Sequence, residues 1–593
     1  EVSIAAGEMV GLLYDAFHKQ YADPYSECAL KSLNILCVRL VFCLYAEDAG
    51  IFGHHGMFHD YLAEYDTRHM RKALIELFQV LDTAPEDRDP YLKDDNPDLA
   101  AFPYVNGGLF ANEDIEIPPF TDEIRSLLLN KASSDFNWSE ISPTIFGAVF
   151  ESTLNPETRR SGGMHYTSIE NIHKVIDPLF LDDLKKEFEE ICEIAVEKTR
   201  ERKLKEFQKK LASLTFLDPA CGSGNFLTET YLSLRHLENE VLQILSHGQI
   251  SFGDADWNPI QVSIGQFYGI EINDFAVTVA KTALWIAESQ MMKETEEIVL
   301  MHLDFLPLKS YTNIIEGNAL QINWEDVAPK CNLSYVMGNP PFVGKKEQTP
   351  EQKKDLLNLY GKGISGVGNM DYVTGWYIKA AEYMQGTKIH TAFVSTNSIT
   401  QGEQPSVLWT KLQQYGTNII FAYRTFIWAS EATMKAHVHC VIIGFCNERF
   451  VEEKHIFTDT RYVLAENINP YLVDAPTVLI RSRSKPLADV PEMCYGSMPI
   501  DNNNLILDEE SVQQLLKENP ENEQFIREYV GGEELLKGKK RWCIWLDGVD
   551  PTLYMKSKFI MGRIEANRLY RLYGSTRPQT NTAAETPQLF GEI

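Results

Sequence analysis

The sequence predicts an α/β protein built on a parallel sheet, with a mainly helical region before it and a further mixed region after it. Three observations carry this. Leu214 to Leu227 reads as an apolar strand, a carboxylate, a Gly-rich turn and the start of a helix. Two later apolar runs, Phe267 to Ile272 and Leu333 to Gly338, are short strands that each end at a loop. The first 140 residues instead place apolar side chains three and four apart, as in Leu33, Leu36, Leu40 and Leu44.

At 593 residues the chain is too long for a single core. Its 44% hydrophobic and 23% charged content is that of an ordinary globular protein. Ten cysteines without a Cys-x-x-Cys pair indicate neither a zinc ribbon nor a disulfide framework, and reduced thiols point to the cytoplasm. The net charge of −29 argues against a general polyanion binder, although basic residues lining one cleft suffice for a nucleic-acid enzyme. Leu30 to Ala46 is the most apolar helical stretch; it is interrupted by Arg39 and short for a membrane span, so no membrane partner is expected. The chain opens inside a helical pattern, without a secretory signal.

Helical spacing in the first region is broken at Phe102-Pro103-Tyr104-Val105-Asn106-Gly107-Gly108-Leu109-Phe110. His54, His55 and His59 lack an accompanying carboxylate pattern and read as a solvated loop, not a metal site. From Ile145 the text changes, leading to Gly162-Gly163-Met164-His165-Tyr166-Thr167-Ser168. Thr167 and Ser168 suit the cap of a helix starting near Ile169, whose backbone donors can hold a carboxylate. Residues 181 to 211 read as a solvated Lys/Glu helix, and Glu201-Arg202-Lys203 within it as a chance triplet and not a nuclease signature.

Asp218-Pro219-Ala220-Cys221-Gly222-Ser223-Gly224, followed by Asn225 and Phe226, lies where open α/β sheets bind ligands. It has neither the Lys-Ser/Thr of a P-loop nor the spacing of a dinucleotide site. Glu271, before Ile272, is a strand-end carboxylate, and a crossover helix from Ala276 to Ala287 follows it. Tyr311 to Leu320 reads as a third strand with Asn318 and Ala319 in its exit loop. In Asn339-Pro340-Pro341-Phe342 two prolines must end the preceding strand. They leave a stiff turn carrying an amide, free carbonyls and a ring, which suits a planar heterocycle with an exocyclic amine. The same tetrapeptide also reads as a proline-rich strand exit with a core Phe.

Taken in order, these motifs resemble the amino-methyltransferases of DNA. His-Tyr-Thr-Ser, Asp-Pro-Ala-Cys-Gly-Ser-Gly, Asn-Pro-Pro-Phe and then a recognition region is the γ arrangement of N6-adenine enzymes. Met370-Asp371-Tyr372-Val373 looks like the family's motif V, and Phe421 to Trp428, ahead of a strand from Val438 to Phe445, like its motif VIII. The likeness is strongest to the single-chain type II (IIG/IIL) restriction–modification enzymes, on Pro103 to Phe110 and on Arg541-Trp542-Cys543-Ile544-Trp545-Leu546.

The resemblance implies an α-helical spacer over 1–140, a Rossmann-like S-adenosylmethionine-dependent methyltransferase domain over 141–450, and an α+β target-recognition region over 451–593 that stops before it is complete. It implies methyl transfer from S-adenosylmethionine to the N6 amine of an adenine flipped out of duplex DNA, in restriction–modification or phage defence. Asn339, Pro340, Pro341 and Phe342 are then catalytic, with Phe342 on one face of the base and Phe426, or else Trp428, on the other. His165, Tyr166, Thr167, Ser168, Asp218, Ala220, Cys221, Gly222, Gly224, Asn225, Phe226, Glu271, Ile272, Asn318, Ala319 and Asn339 form the cofactor site, without a metal. The partner is double-stranded DNA, with any nuclease domain or subunit outside this chain. Lys345, Lys346 and basic residues from Arg481 to Arg577 are candidates for phosphate contact. N4-cytosine methylation, a non-catalytic DNA-binding subunit and a glutamine-directed protein methyltransferase are the alternatives.

Overall fold

Strand β1 (Phe216–Asp218) lies inside a nine-stranded sheet, and its aromatic neighbours explain why it pairs where it does. The coordinates are a computed structural model that describes residues 2–105, 107–111, 115–144, 146–147, 167–246, 259–303, 305, 313–428, 438–448, 452–458, 461–483, 485–491 and 496–593. Phe216 is in register with Phe267 of β2 (Phe267–Glu271) on one side, and the rings stack at 5.2 Å. After β3 (Ile314–Glu316), β4 (Tyr335–Gly338) pairs on the other side, with Tyr335 opposite Phe216 and the rings 5.6 Å apart. Such cross-strand aromatic pairs fix register as well as adding stability.

The remaining strands are β5 (His390–Thr396), β6 (Asn418–Trp428), β7 (Val438–Cys446), β8 (Lys454–Phe457) and β9 (Tyr462–Ala465). The order across the sheet is β3-β2-β1-β4-β5-β7-β6-β8-β9. Strands β1 to β5 are parallel, while β7 runs antiparallel to both β5 and β6. The chain therefore walks outward through β1, β2 and β3 and returns to β4 on the far side of β1. That reversal opens a crevice at the carboxyl ends of the strands, because consecutive crossovers leave in opposite directions. The run read as motif VIII is itself β6, and β8 and β9 carry the sheet past residue 450 to Ala465.

Helices Asn225–Ser246 and Asp274–Val299 follow β1 and β2 and pack together. Helix Glu27–Asp48 lies against the second of them, and its Tyr45 hydroxyl donates to the Ile286 carbonyl at 3.4 Å. Among the described residues it alone is long and apolar enough to cross a membrane. Here it is a core helix, and its buried Arg39 donates to the carbonyls of Leu109 and Ala111 at 2.8 Å. Residues 181 to 211 differ from expectation. They contain two helices, Asp182–Cys192 and Glu197–Ser213, which bury Phe188 against Phe207 on an apolar edge that the dense charges masked.

Residues 1–482 form one compact unit and 483–593 another. In the second, β10 (Ile506–Leu507) and β11 (Ile526–Tyr529) flank a central antiparallel β12 (Arg541–Ile544). Helices Glu509–Glu518 and Lys558–Tyr573 complete this α+β unit. Several basic residues expected to face phosphate are used internally here. Arg571 is fully buried and donates to five carbonyls, those of Pro499, Ile500, Ala583, Thr586 and Leu589. Arg563 holds the carbonyls of Asn503, Asn504 and Ile506. Lys537 and Lys539 share Glu533, Arg541 pairs with Glu534, and Arg568 pairs with Glu565.

Candidate active site

Four strand ends converge on one cleft of about 620 Å³. At the end of β1, Asp218 is buried and its Oδ1 accepts from the Ala220 amide at 3.0 Å. The turn after it is tied to β2 by the Cys221 amide, which donates to the Ile270 carbonyl at 3.1 Å. Gly224 closes the turn at a φ of 84°, and a Cβ there would lie 2.9 Å from the Ala280 Cβ, so only glycine lets the helix from Asp274 approach.

At the end of β2, Glu271 accepts from the Gly222 amide at 2.9 Å and the Asn273 amide at 3.0 Å. The Gly-rich turn and the second carboxylate are thus one hydrogen-bonded unit. Burial, reinforced by the charge of Glu271, pushes the Asp218 carboxyl up to about 8, although the Ala220 amide pulls the other way. Burial also raises Glu271. At the end of β3, Asn318 Oδ1 accepts from the Leu320 amide at 3.0 Å, and its Nδ2 donates to Asp355 at 3.1 Å.

The end of β4 carries the Asn-Pro-Pro-Phe turn. A Cβ on Gly338 would overlap Asp218 Oδ1, so the β1 carboxylate and the β4 exit sit as close as glycine permits. The Asn339 amide nitrogen donates to Thr167 Oγ1 at 3.2 Å. Its Oδ1 is buried and has no hydrogen-bond partner among the described residues. Pro340 is buried, Pro341 exposed and Phe342 half-buried. The exit from the turn is stapled: the Val343 amide donates to Asp371 at 3.2 Å, and Gln348 Nε2 donates to the Val343 carbonyl at 2.8 Å.

Of the residues expected at the site, Thr167, Asp218, Ala220, Cys221, Gly222, Asn225, Phe226, Glu271, Ile272, Asn318, Ala319 and Asn339 to Phe342 all line this cleft. Gly224 shapes the turn behind it. Ser168 caps helix Ile169–Ile176, its hydroxyl accepting from the Asn171 amide. His165 and Tyr166 lie outside the described residues, as does the Trp428 side chain. Phe426 is not part of the cleft lining. It is 5% exposed, with the Lys174 ammonium 5.2 Å from its ring centre and Tyr423 edge-on at 6.4 Å. Its ring is packed in the core.

Asp355, Tyr372 and Trp376 also line the cleft. The Trp376 indole donates to the Pro219 carbonyl at 3.0 Å, and the Tyr372 hydroxyl donates to Asp355 at 3.1 Å. No local motif marks Asp355, which sits on helix Pro350–Tyr360 and reaches Asn318 across 37 residues. Tyr372 and Trp376 carried a weak signal, as aromatics flanking the start of an otherwise Ala-rich helix. Chemically, the cleft offers two strand-end carboxylates for hydroxyl or cationic groups, an apolar wall for a ring, and a buried amide oxygen that has no donor among the described residues. Leaving such an acceptor unpaired costs about 1–3 kcal/mol, which a donor on a bound molecule would relieve.

The domain family described as "MmeI, DNA-methyltransferase domain" matches residues 194–458. "MmeI, target recognition domain" matches 474–593, and "MmeI, helicase spacer domain" matches 31–110. DNA methyltransferase A of Bacillus subtilis (strain 168) is 37% identical over 593 residues, covering 99% of this chain and 65% of that protein. A putative type II restriction enzyme and methyltransferase of Methanocaldococcus jannaschii, RM.MjaORFECS2P, is 26% identical over 364 residues, 53% of this chain and 29% of that protein. The chain thus spans less than two-thirds of the length of either curated relative. Among solved structures, the type IIL restriction–modification enzyme MmeI in complex with DNA superposes with a TM-score of 0.82 at 40% identity, covering 100% of this chain and 77% of that one.

Proposed function

This chain belongs to the MmeI family of type IIL restriction–modification enzymes, and we propose that it methylates DNA, moving a methyl group from S-adenosylmethionine to the N6 amine of an adenine rotated out of the duplex. The observation that carries the reading is Asn339. Its amide nitrogen is held by Thr167 while its buried Oδ1 has no donor among the described residues, on a turn beside a cleft lined by two strand-end carboxylates.

The residues fit the cofactor. A cleft of about 620 Å³ is within the ~300–1,000 Å³ usual for such ligands. Glu271 has lone pairs left for the ribose hydroxyls after accepting from two amides. Asp218 and the turn to Gly222 would hold the methionine end, and Asn318 with Ala319 the adenine end. When bound, the cofactor supplies an electrophilic methyl group.

The rest of the chemistry belongs to the chain and to the base. Extracting a base costs ~a few kcal/mol, and stacking on Phe342 returns ~1–3 kcal/mol. Asn339 Oδ1 and the Pro340 carbonyl accept the two amine hydrogens, which draws the nitrogen away from planarity and frees its lone pair. Gln348 and Asp371 hold the turn's exit, so these acceptors are positioned before the base arrives. Preorganisation of this kind is where large rate gains lie. A cytoplasmic location follows from the substrate, and any cleavage activity is outside this reading.

The test is transfer of labelled methyl to unmethylated genomic DNA, followed by nucleoside analysis. N6-methyladenine is expected. Label in N4-methylcytosine, or in protein only, overturns the substrate assignment.

A further inference from the structure

Asp355 stands out as a buried carboxylate at the cleft that the methyl-transfer chemistry does not use. It is 7% exposed, on helix Pro350–Tyr360, which follows the Asn-Pro-Pro-Phe turn. Three donors converge on it. Gln321 Nε2 meets Oδ1 at 3.0 Å, while Asn318 Nδ2 and the Tyr372 hydroxyl meet Oδ2, each at 3.1 Å. A carboxylate offers about four acceptor positions, so Oδ1 retains one, on a residue that lines the cleft. Its neighbour Asn318 is less able to act as an acceptor, because its Oδ1 already takes the Leu320 amide and its nitrogen is spent on Asp355.

We infer that Asp355 reads the purine ring of the methyl donor: its free Oδ1 position accepts from the exocyclic 6-amine, selecting a 6-amino over a 6-oxo purine. The inference rests on the reading of this cleft as the S-adenosylmethionine site. The selection has a simple physical basis. A 6-oxo purine turns an acceptor toward an acceptor-only carboxylate, and in a buried site that leaves two oxygens facing each other without a proton between them. Gln321, Asn318 and Tyr372 are positioning residues in this scheme. They spend the other acceptor positions and hold the carboxylate still.

A purely structural role for Asp355, tying the Asn318 loop to the helix, predicts something different, and binding measurements separate the two. The probes are S-adenosylhomocysteine and its 6-oxo (inosine) counterpart, titrated calorimetrically into the full chain and into Asp355→Asn and Tyr372→Phe. The wild-type chain is expected to prefer the 6-amino ligand by ~10-fold or more, the worth of one hydrogen bond to a charged group. In Asp355→Asn the preference should collapse to within ~3-fold or invert, because a carboxamide can turn its NH₂ toward the 6-oxygen. Tyr372→Phe should weaken both ligands by the same factor and leave the ratio in place.

Equal wild-type affinity for the two ligands overturns the inference without recourse to any variant. So does an unchanged ratio in a folded Asp355→Asn chain, or a ratio that collapses in Tyr372→Phe. A wild-type chain that binds neither ligand overturns the methyl-donor reading itself, and this inference with it.

Discussion

Gly338→Ala tests how closely the two halves of the site are fitted. The added Cβ would lie 3.0 Å from Asp218 Cγ and overlap Oδ1. The carbon–carbon distance alone is about 0.5–1 Å inside the ~3.5–4.0 Å optimum. Asp218 has nowhere to retreat. It is 1% exposed and its Oδ1 is bonded to the Ala220 amide. The end of β4 must therefore move, and Asn339, the next residue, moves with it. Overpacking of this kind costs about 1–3 kcal/mol. A displacement of about 1 Å at a reacting group costs about 10²-fold in rate. We expect kcat for methyl transfer to fall about 100-fold at saturating cofactor, with a lowered Tm. Initial rates on unmethylated genomic DNA, read alongside a thermal melt, check this. A folded variant within about 3-fold of wild-type kcat would refute the claim that Asp218 and the proposed catalytic turn are in steric register.

Other expectations follow from single contacts. Glu271→Ala removes the acceptor proposed for the ribose hydroxyls and strips the Gly222 amide of its partner, so the cofactor Kd should rise about 10–100-fold in calorimetry. Thr167→Val leaves the Asn339 amide nitrogen without its acceptor; kcat should fall about 5–10-fold, more than any change in cofactor Kd, and Thr167→Ser should restore the rate. The Asp218 carboxyl, raised to about 8 by burial and by Glu271, is neutral below that pH and ionised above it. A cationic methyl donor favours the ionised form. Its affinity should therefore rise with pH by at most about tenfold per unit up to pH 8 and then level off, with proton release on binding. A flat profile from pH 6 to 8.5, or an unchanged slope in Asp218→Asn, would contradict this.

Much of the site was legible in the sequence because its residues stand at strand ends, where local pattern and topology coincide. Asp218, Glu271, Asn318 and Asn339 each close an apolar run, and the sheet order β3-β2-β1-β4 brings those four ends together. What escaped notice depends on contacts between distant segments. Asp355 meets Asn318 and Tyr372 only after the helix carrying it has docked. Phe426 lies in an aromatic run, and only the fold sets the ammonium of Lys174, from a distant helix, 5.2 Å from its ring centre. The basic residues of 483–593 look alike in sequence. Only the fold separates Arg571, sunk among five carbonyls, from those at the surface. Charge counted along a chain does not tell whether the partner is a phosphate or the protein's own backbone.

The central claim is that the buried Oδ1 of Asn339, without a donor among the described residues, is the acceptor for the target amine. Asn339→Ala, assayed for both labelled methyl transfer and cofactor Kd, addresses it most directly. If the amide faces the base as proposed, transfer should fall at least about 10³-fold, as when a preorganised polar group is removed from a reaction centre, while Kd stays within about 3-fold. Transfer within tenfold of wild type, or a loss of cofactor affinity as large as the loss of rate, would contradict it.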